Sequence, residues 1–179
     1  MIYSLREMSL HETKRMIRYF LSGAPEFLEG MGVDREKLPS EPDWFQSLEA
    51  DDSKPLSDRE FFYLVWLAND EPIGHCNVNK IDFGNEAFMH LHIWSAEHRQ
   101  CGCATKLLPI SIMTFFERLE LQRLYCEPFA MNPGPNEILP KLGFQFDRSY
   151  ETTPSAITFP QLVNRWRINR NDAEQTFVS

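Results

Sequence analysis

Two cysteines flank a single glycine in HRQCGCATKLL (residues 98–108), and two histidines stand one residue apart just upstream in MHLHIW (89–94). Thiols and imidazoles that converge make metal ligands, and a reactive thiol pair can run redox chemistry. A zinc site of the usual kind needs C-x-x-C pairs and further ligands at finger-like spacing, and the sequence has no such pair. A cluster of Cys101 and Cys103 with His75, His90, His92 or His98 stays open on residue type alone. The second chemistry needs only the backbone. A strand ending at Trp94, a few polar residues, Gly102, a small residue and then a helix form an anion cradle. The first-turn amides of a helix are unpaired and carry the positive end of its dipole. Gly102 and Ala104 let a phosphate approach the backbone where a bulky side chain would block it. The expectation is the cradle, with no metal and with both thiols as bystanders.

The histidines suggest a different role. His90 and His92 alternate with Met89, Leu91 and Ile93, so if those three face the core, both imidazoles share the opposite face with Trp94. An imidazole with an ordinary pKa near 6.5 suits general-base work at neutral pH.

The elements that must hold these groups follow from periodicity. Residues 5–22 place Leu10, Met16, Ile17, Phe20 and Leu21 at helical spacing. A Gly/Pro-containing loop follows, then a helix from about Pro42 with Ser40 or Glu41 at its cap. SDREFFYLVWLA, IGHCNVNKIDF and FMHLHIWS read as successive strands joined by NDEP and GNEA turns. From Ala104, Leu108, Ile112, Phe115 and Leu119 form a helical stripe, in which Pro109 should cause a kink because the carbonyl of Thr105 loses its donor. QRLYCEPF is strand-like, NPGPNEILPKLG is a loop and short helix closed by Gly143, and FQF and PQLVNRWRIN supply the last strands. The polar tail after Asn169 is expected to fray. The order implies an α/β (α+β) fold: one mixed, mostly antiparallel central sheet flanked by helices, in a single domain over residues 1–179.

Composition narrows the function. The 179 residues are 42% hydrophobic and 25% charged, with a net charge of −8 and no long basic run. Nucleic acid is not expected as a partner, because phosphate-backbone binding needs a clustered positive face. No apolar stretch is long enough for a membrane span, and the first residues carry charges throughout, so a cytoplasmic location with four free thiols is expected.

Arg99-x-x-Gly102-x-Ala104 resembles the R/Q-x-x-G-x-G/A signature of the GNAT superfamily of acyl-CoA-dependent N-acyltransferases. A second family element, an Asn eleven residues before a Gly-Phe pair, is matched by Asn132 and Gly143-Phe144. The two elements span residues 86–146, the expected cofactor-binding core. The resemblance implies acetyl-CoA as cosubstrate and direct transfer of its acetyl group to an amine. It implies that Arg99, Gln100, Cys101, Gly102, Cys103, Ala104 and Thr105 receive the pyrophosphate. It implies that Ile93 and Trp94 pair with the pantetheine arm, and that Asn132, assisted by Asn136, reaches that arm. Glu127 in LYCEPF resembles the catalytic Glu of Rim-type N-terminal acetyltransferases. Glu127-Pro128 is also similar to an acidic-Pro pair in aminoglycoside and hydroxylysine N-acetyltransferases. Its alternative is a carboxylate satisfied by a neighbouring Arg. His90 resembles a base histidine of arylalkylamine N-acetyltransferases, and its alternative is a hydrogen-bonded sheet histidine.

The family's usual proton donors are replaced by Leu139 and Pro135, which leaves Tyr125, Ser95 or water as candidate acids. The resemblance places the acceptor near the loop carrying Glu26, Glu29, Asp34 and Trp44. The expected acceptor is a small amine; a protein N-terminus and a non-catalytic CoA-binding module are the alternatives. A homodimer stays open.

Overall fold

The strand period between residues 62 and 94 builds the centre of the sheet. The computed structural model describes residues 1–178. In chain order the elements are β1 (Tyr3–Glu7), α1 (Leu10–Leu21), α2 (Pro25–Gly30), α3 (Glu41–Asp52), β2 (Phe62–Ala68), β3 (Glu71–Asp82) and β4 (Glu86–Ile93). They continue with α4 (Cys103–Arg118), β5 (Arg123–Cys126), α5 (Pro133–Lys141), β6 (Gln145–Thr152), β7 (Gln161–Asn169) and α6 (Arg170–Phe177). The seven strands form one sheet in the order β1-β2-β3-β4-β5-β7-β6. Every neighbouring pair is antiparallel except β4 and β5, which are joined through α4 and run parallel.

The two faces of the sheet bury different clusters. Ala87, Met89, Leu124 and Cys126 pack with Leu107, Leu108, Ile112, Phe115 and Phe116 of α4, Leu139 of α5 and Ala173 of α6. On the other face Met16, Ile17 and Phe20 of α1 meet Leu28, Val33 and Leu48, with Tyr63 and Trp94 from the sheet beneath them.

Several local expectations change. Residues 3–7 form an edge strand, with Tyr3 and Leu5 packed against the larger core, and the helix begins only at Leu10. Its start is set by Ser9, whose backbone N donates to Glu12 Oε2 at 2.8 Å. The stretch read as a loop holds the short α2. Helix α4 runs unbroken through Pro109, because Thr105, whose carbonyl loses its donor, lies on the exposed side where water can replace the bond. The tail does not fray: residues 170–177 form α6, pinned by the buried Ala173 and by Asn169 Nδ2 donating to Asp172 Oδ2 at 3.1 Å.

One feature of the sheet positions everything that follows. β4 and β5 pair from Glu86 opposite Arg123 to Met89 opposite Cys126, and then part. Beyond that point β4 stays with β3, His90 to Ile93 lying opposite Asn77 to Gly74. The chain after β5 stays with β7: Asn164 N donates to Pro128 O at 3.1 Å and Ala130 N to Leu162 O at 2.9 Å. Trp94 N donates to Ile73 O at 2.8 Å, toward β3. By alternation, the amides and carbonyls of Leu91 and Ile93 point into the split.

Gly74 makes this arrangement possible. A Cβ there would lie 2.5 Å from His92 O and 3.1 Å from Ile93 Cα. Gly74→Ala is therefore expected to push β4 off β3 and to destabilise the fold by about 1–3 kcal/mol, read from the shift of the urea midpoint.

Candidate active site

Helix α4 opens at Cys103, and its cap is Gly102 at φ 76°, preceded by Gln100 at φ 58°. The left-handed backbone at Gly102 disfavours any residue with a Cβ. The cap brings no side chain to the first-turn amides, and a Cβ built on Gly102 meets no protein atom within 4 Å. Open space and unpaired donors thus coincide at the positive end of a sixteen-residue helix.

The two thiols diverge. Cys103 is 1% exposed and belongs to the core, its Sγ donating to His98 O at 3.2 Å. Cys101 is exposed and its Sγ lies 3.0 Å from Glu97 O and 3.2 Å from Arg99 O. Among the described residues no three His, Cys, Asp or Glu side chains gather as metal ligands.

Arg99 turns back toward β4. Its Nε donates to Ile93 O at 3.2 Å and its Nη2 to Trp94 O at 3.5 Å, while the guanidinium lies 4.1 Å from the centre of the Phe27 ring. A ligand that pairs with Ile93 along the open edge has to displace Arg99 from that carbonyl. Ala104 is half-buried and Thr105 exposed at the start of α4.

Asn132 caps α5 through its backbone, and its side chain makes no hydrogen bond among the described residues. Asn136 is fully engaged. Its Nδ2 donates to Phe129 O at 3.0 Å and Asn132 O at 2.8 Å, and its Oδ1 accepts from Asn164 Nδ2 at 2.9 Å and Trp166 Nε1 at 3.1 Å. It ties the 129–132 loop to β7.

His90 and Glu127 stand at the split itself. Met89 and Cys126 are the last paired residues of β4 and β5, and His90 and Glu127 are the next on each strand, both on the face opposite α4. His90 Nε2 lies 3.0 Å from Asn79 Oδ1. With that oxygen accepting, Nε2 carries the ring proton and Nδ1 keeps the lone pair. Burial, reinforced by the nearby Lys80 charge and opposed by Glu127, pushes the His90 pKa down to about 4. An ordinary histidine pKa is thus the expectation that fails, because the ring is desolvated.

Glu127 is buried, and its Oε1 accepts from Arg165 Nε at 2.5 Å and from Tyr150 OH. Arg165 also donates to Tyr150 OH. The neighbouring arginine weighed for Glu127 is therefore present, while Oε2 has no protein partner among the described residues. Burial and the Glu127 charge raise the Tyr150 pKa, so its phenol stays protonated and donates. Arg165 and Tyr150 were not singled out in the sequence. The alternation of Arg165 and Arg167 with Trp166 and Ile168 marked a polar face, but Tyr150 had no signal, because its approach depends on the bulge between Phe146 and Arg148.

The remaining candidates lie elsewhere. His92 stacks on His75 at 5.0 Å and packs under Phe20 and Tyr19; its Nδ1 is buried without a partner and its pKa is lowered to about 3 by burial. His75 Nδ1 accepts from Trp94 Nε1 at 2.8 Å. Tyr125 OH accepts from Arg123 Nη1 at 3.2 Å, and Ser95 Oγ donates to Glu97 Oε1 at 2.9 Å. Leu139 is buried in the core. Glu26 and Glu29 are exposed on α2, Asp34 caps a short turn by accepting from Glu36 N at 3.1 Å, and Trp44 packs on Phe20.

The family model for the acetyltransferase (GNAT) domain matches residues 5–145. The chain belongs to the GNAT acetyltransferase family. The reaction of such a domain is acetyl-CoA-dependent transfer of an acetyl group to an amine. Among curated proteins no sequence matches significantly. Among solved structures the GNAT chain is similar to aminoglycoside acetyltransferase AAC(6')-Ib in complex with coenzyme A, with TM-score 0.73 and 17% identity over 98% of this chain and 99% of that one. Spermidine N-acetyltransferase from Vibrio cholerae, in complex with CoA and spermine, gives TM-score 0.74 and 19% identity over 96% and 97%. RimL, a ribosomal L7/L12 alpha-N-protein acetyltransferase in complex with CoA, gives 0.74 and 12% over 93% of each chain. No helix among the described residues is long and apolar enough to cross a membrane.

The neutral histidines of this GNAT chain predict an acid-sensitive fold. Burial holds the His75 pKa well below 6.5, with His92 and His90 adding in the same direction, so the unfolded chain binds more protons than the folded one below pH 6.5. Stability should be complete above pH 6.5 and fall as the pH drops toward 4, by roughly 2 kcal/mol at pH 5 for a fully buried histidine such as His75. Urea unfolding across pH 5–8 measures this, and His75→Phe should remove its own share of the loss while leaving that of His90 and His92.

Proposed function

We propose that this chain acetylates the amine of a small molecule directly within a ternary complex with acetyl-CoA. The observation that carries the reading is the placement of His90 and Glu127 on one face of the sheet, each the first residue past the point where β4 and β5 part. The open edge of Leu91 and Ile93 and the uncapped start of α4 lie beyond it on the same split.

The residues fit the cosubstrate. Amides of the 99–105 segment, with Gly102 at its cap, would hold the pyrophosphate, and the edge of Ile93 and Trp94 would pair with the pantetheine arm as an added strand. Asn132 keeps a free side chain for the same arm. Bound there, acetyl-CoA supplies a thioester that an amine can attack. The C–N bond forms as the C–S bond breaks, one proton leaves the amine and one can be taken up by the departing sulfur, so the exchange balances without a redox partner.

The chain's own groups divide the work. His90, neutral with Nδ1 unprotonated, accepts a hydrogen bond from the amine. It does not serve as the equilibrium base, since moving a proton from an alkylammonium of pKa ~10 to an imidazole near 4 is uphill by roughly 8 kcal/mol. The Glu127 Oε2 oxygen takes a second amine hydrogen and passes the proton to water. Cleft-facing amides of β4 meet the oxygen that gains negative charge. Tyr150, protonated and bonded to Glu127, joins Tyr125, Ser95 and water as a candidate acid.

A small acceptor is supported by ties between the segments that precede α3 and β7. Gln161 Nε2 donates to Gly32 O at 2.9 Å, Asp34 N donates to Ile157 O at 2.8 Å, and Val33 bridges Thr158. The segment after α2 and the β6–β7 connection are thereby tied together, which favours an enclosed pocket over an open peptide groove. Structural neighbours bound to spermine and kanamycin support the same choice. Free thiols at all four cysteines fit a cytoplasmic location.

Calorimetric titration with acetyl-CoA should show one-to-one binding that Gly102→Val abolishes and that Cys101→Ser with Cys103→Ser leaves nearly unchanged. Loss of binding in the double serine variant would transfer the role from the amides to the thiols. An amine screen following thiol release then tests catalysis; tight acetyl-CoA binding without release for any amine would leave a non-catalytic CoA-binding module.

In the active protein, Glu127→Gln should lower turnover by about 10²-fold with acetyl-CoA binding intact. The pH profile of kcat/KM should rise with the free-amine fraction and show no inflection near 6.5, because His90 is already neutral there. An inflection near 6.5 that disappears in His90→Gln would restore histidine as the base.

A further inference from the structure

The face that carries His90 and Glu127 continues past α1 and α3 without a covering helix, and its chemistry is unlike the rest of this acidic chain. Phe88 on β4 and Tyr125 on β5 are stacked at 5.1 Å with 25° between their planes. Cations surround the stack. Lys80 Nζ sits 4.9 Å from the centre of the Phe88 ring, and Arg165 Cζ lies 5.4 Å from Phe88, 5.1 Å from Tyr125 and 5.0 Å from Tyr150. Arg123 Cζ is 5.9 Å from Tyr125, and Arg148 Cζ is 5.0 Å from Tyr150. Arg167 lies opposite Tyr125 in the register of β7 with β5, so it shares this face.

The carboxylates present do not neutralise the surface. Arg165 is paired with Glu127 and Arg123 with Glu86 at 3.4 Å, while Arg148 reaches only its neighbour Asp147 at 3.9 Å. Lys80 and Arg167 have no carboxylate partner among the described residues. Arg123 Nε is buried with no hydrogen-bond acceptor. Asn77 and Asn79, both buried, line the β3 side between Lys80 and His90. A surplus of cations around an aromatic stack, in a chain of net charge −8, is a local arrangement that selects an anion.

We propose that the acceptor amine carries an anionic group, received by Lys80 and Arg167 on either side of the Phe88–Tyr125 stack. The inference rests on the proposed small-amine acetyltransfer and names its substrate class. The spacing is set by the strands: Phe88 and Tyr125 each precede the His90–Glu127 level by two residues, or ~7 Å. The anion and the reacting amine should therefore be separated by about that length, as in a five-carbon ω-amino acid. Spermine-like polycations would meet repulsion here.

The test compares three five-carbon probes that differ only at the far end: 5-aminopentanoate, pentylamine and 1,5-diaminopentane. Binding is measured by calorimetry with and without CoA, and kcat/KM by thiol release with acetyl-CoA. The expected order places 5-aminopentanoate about tenfold or more above pentylamine and the diamine last. Lys80→Gln and Arg167→Gln should each erase most of that margin; Arg167→Gln should leave pentylamine unchanged, and a circular dichroism melt checks the fold. Selective carboxylate binding that both substitutions abolish, without turnover, would overturn this inference by separating the anion site from the acceptor, and would leave acetyltransfer standing. Turnover with the diamine preferred, or a carboxylate margin that survives both substitutions, would overturn this inference and leave acetyltransfer standing. A glutamate-rich peptide with a free N-terminus that outcompetes every small probe, or a dimer in sedimentation that binds no probe, would also overturn it.

Discussion

The site depends on the failure of two parallel strands to stay together. Up to Met89 and Cys126, β4 and β5 satisfy each other; past that point each follows its other neighbour. β4 is held by β3 through the close approach that Gly74 permits, and the chain after β5 is held by β7 through Pro128, Phe129 and Ala130. Neither commitment can be relaxed without breaking buried hydrogen bonds, so the split is a fixed feature. Backbone donors and acceptors left unpaired inside a folded sheet would be costly if they met nothing. Here Arg99 occupies the carbonyls at the end of β4, which indicates how the open edge is satisfied until a ligand takes its place.

The same geometry explains why burial and chemistry meet at one height in the sheet. Helices α1 and α3 cover the β2–β3 half of one face, and there the histidines His75 and His92 serve packing under aromatic rings. The uncovered half begins at the split, so His90 sits at the boundary, desolvated enough to stay neutral. Its alternate neighbours on β4 diverge accordingly: His92 inward to the α1 cluster and Phe88 outward to the cationic face. A single strand period thus divides the histidine packed under α1 from the proposed reacting position.

How far the sequence could be read follows from the range of each interaction. The cap and small residues around Gly102, the β2–β3–β4 meander and the α3 start at Ser40 are set by residues within a few positions of one another, and all were legible. β1 was not, because five residues with two inward apolar groups resemble the start of the adjoining helix, and only pairing with β2 distinguishes them. The expected fraying after Asn169 failed for a related reason: Ala173 and Phe177 dock on a core built by distant residues, and the Asn169 cap holds the start of the helix. In the site, Glu127 and His90 were legible as residues, but their environment was not. The low pKa of His90 comes from tertiary burial, and Arg165 and Tyr150 reach Glu127 across 38 and 23 residues of chain.

Those long-range contacts bear on what Glu127 is for. A carboxylate bound by an arginine is commonly structural, and Glu127 does hold β5, β6 and β7 in register through Arg165 and Tyr150. Both contacts, however, fall on Oε1. Anchoring through one oxygen fixes the carboxyl plane and leaves the other oxygen aimed by that anchor, which is how a reacting group gains precise orientation from its surroundings. The structural and chemical readings of Glu127 are therefore two ends of one side chain. Substitution by Gln alters both ends at once, so turnover alone cannot separate them. Arg165→Lys keeps the positive charge but loses the fixed Nε contact to Oε1, leaves Oε2 and the Tyr150 phenol chemically intact, and its effect on turnover reports how much of the role of Glu127 is orientation.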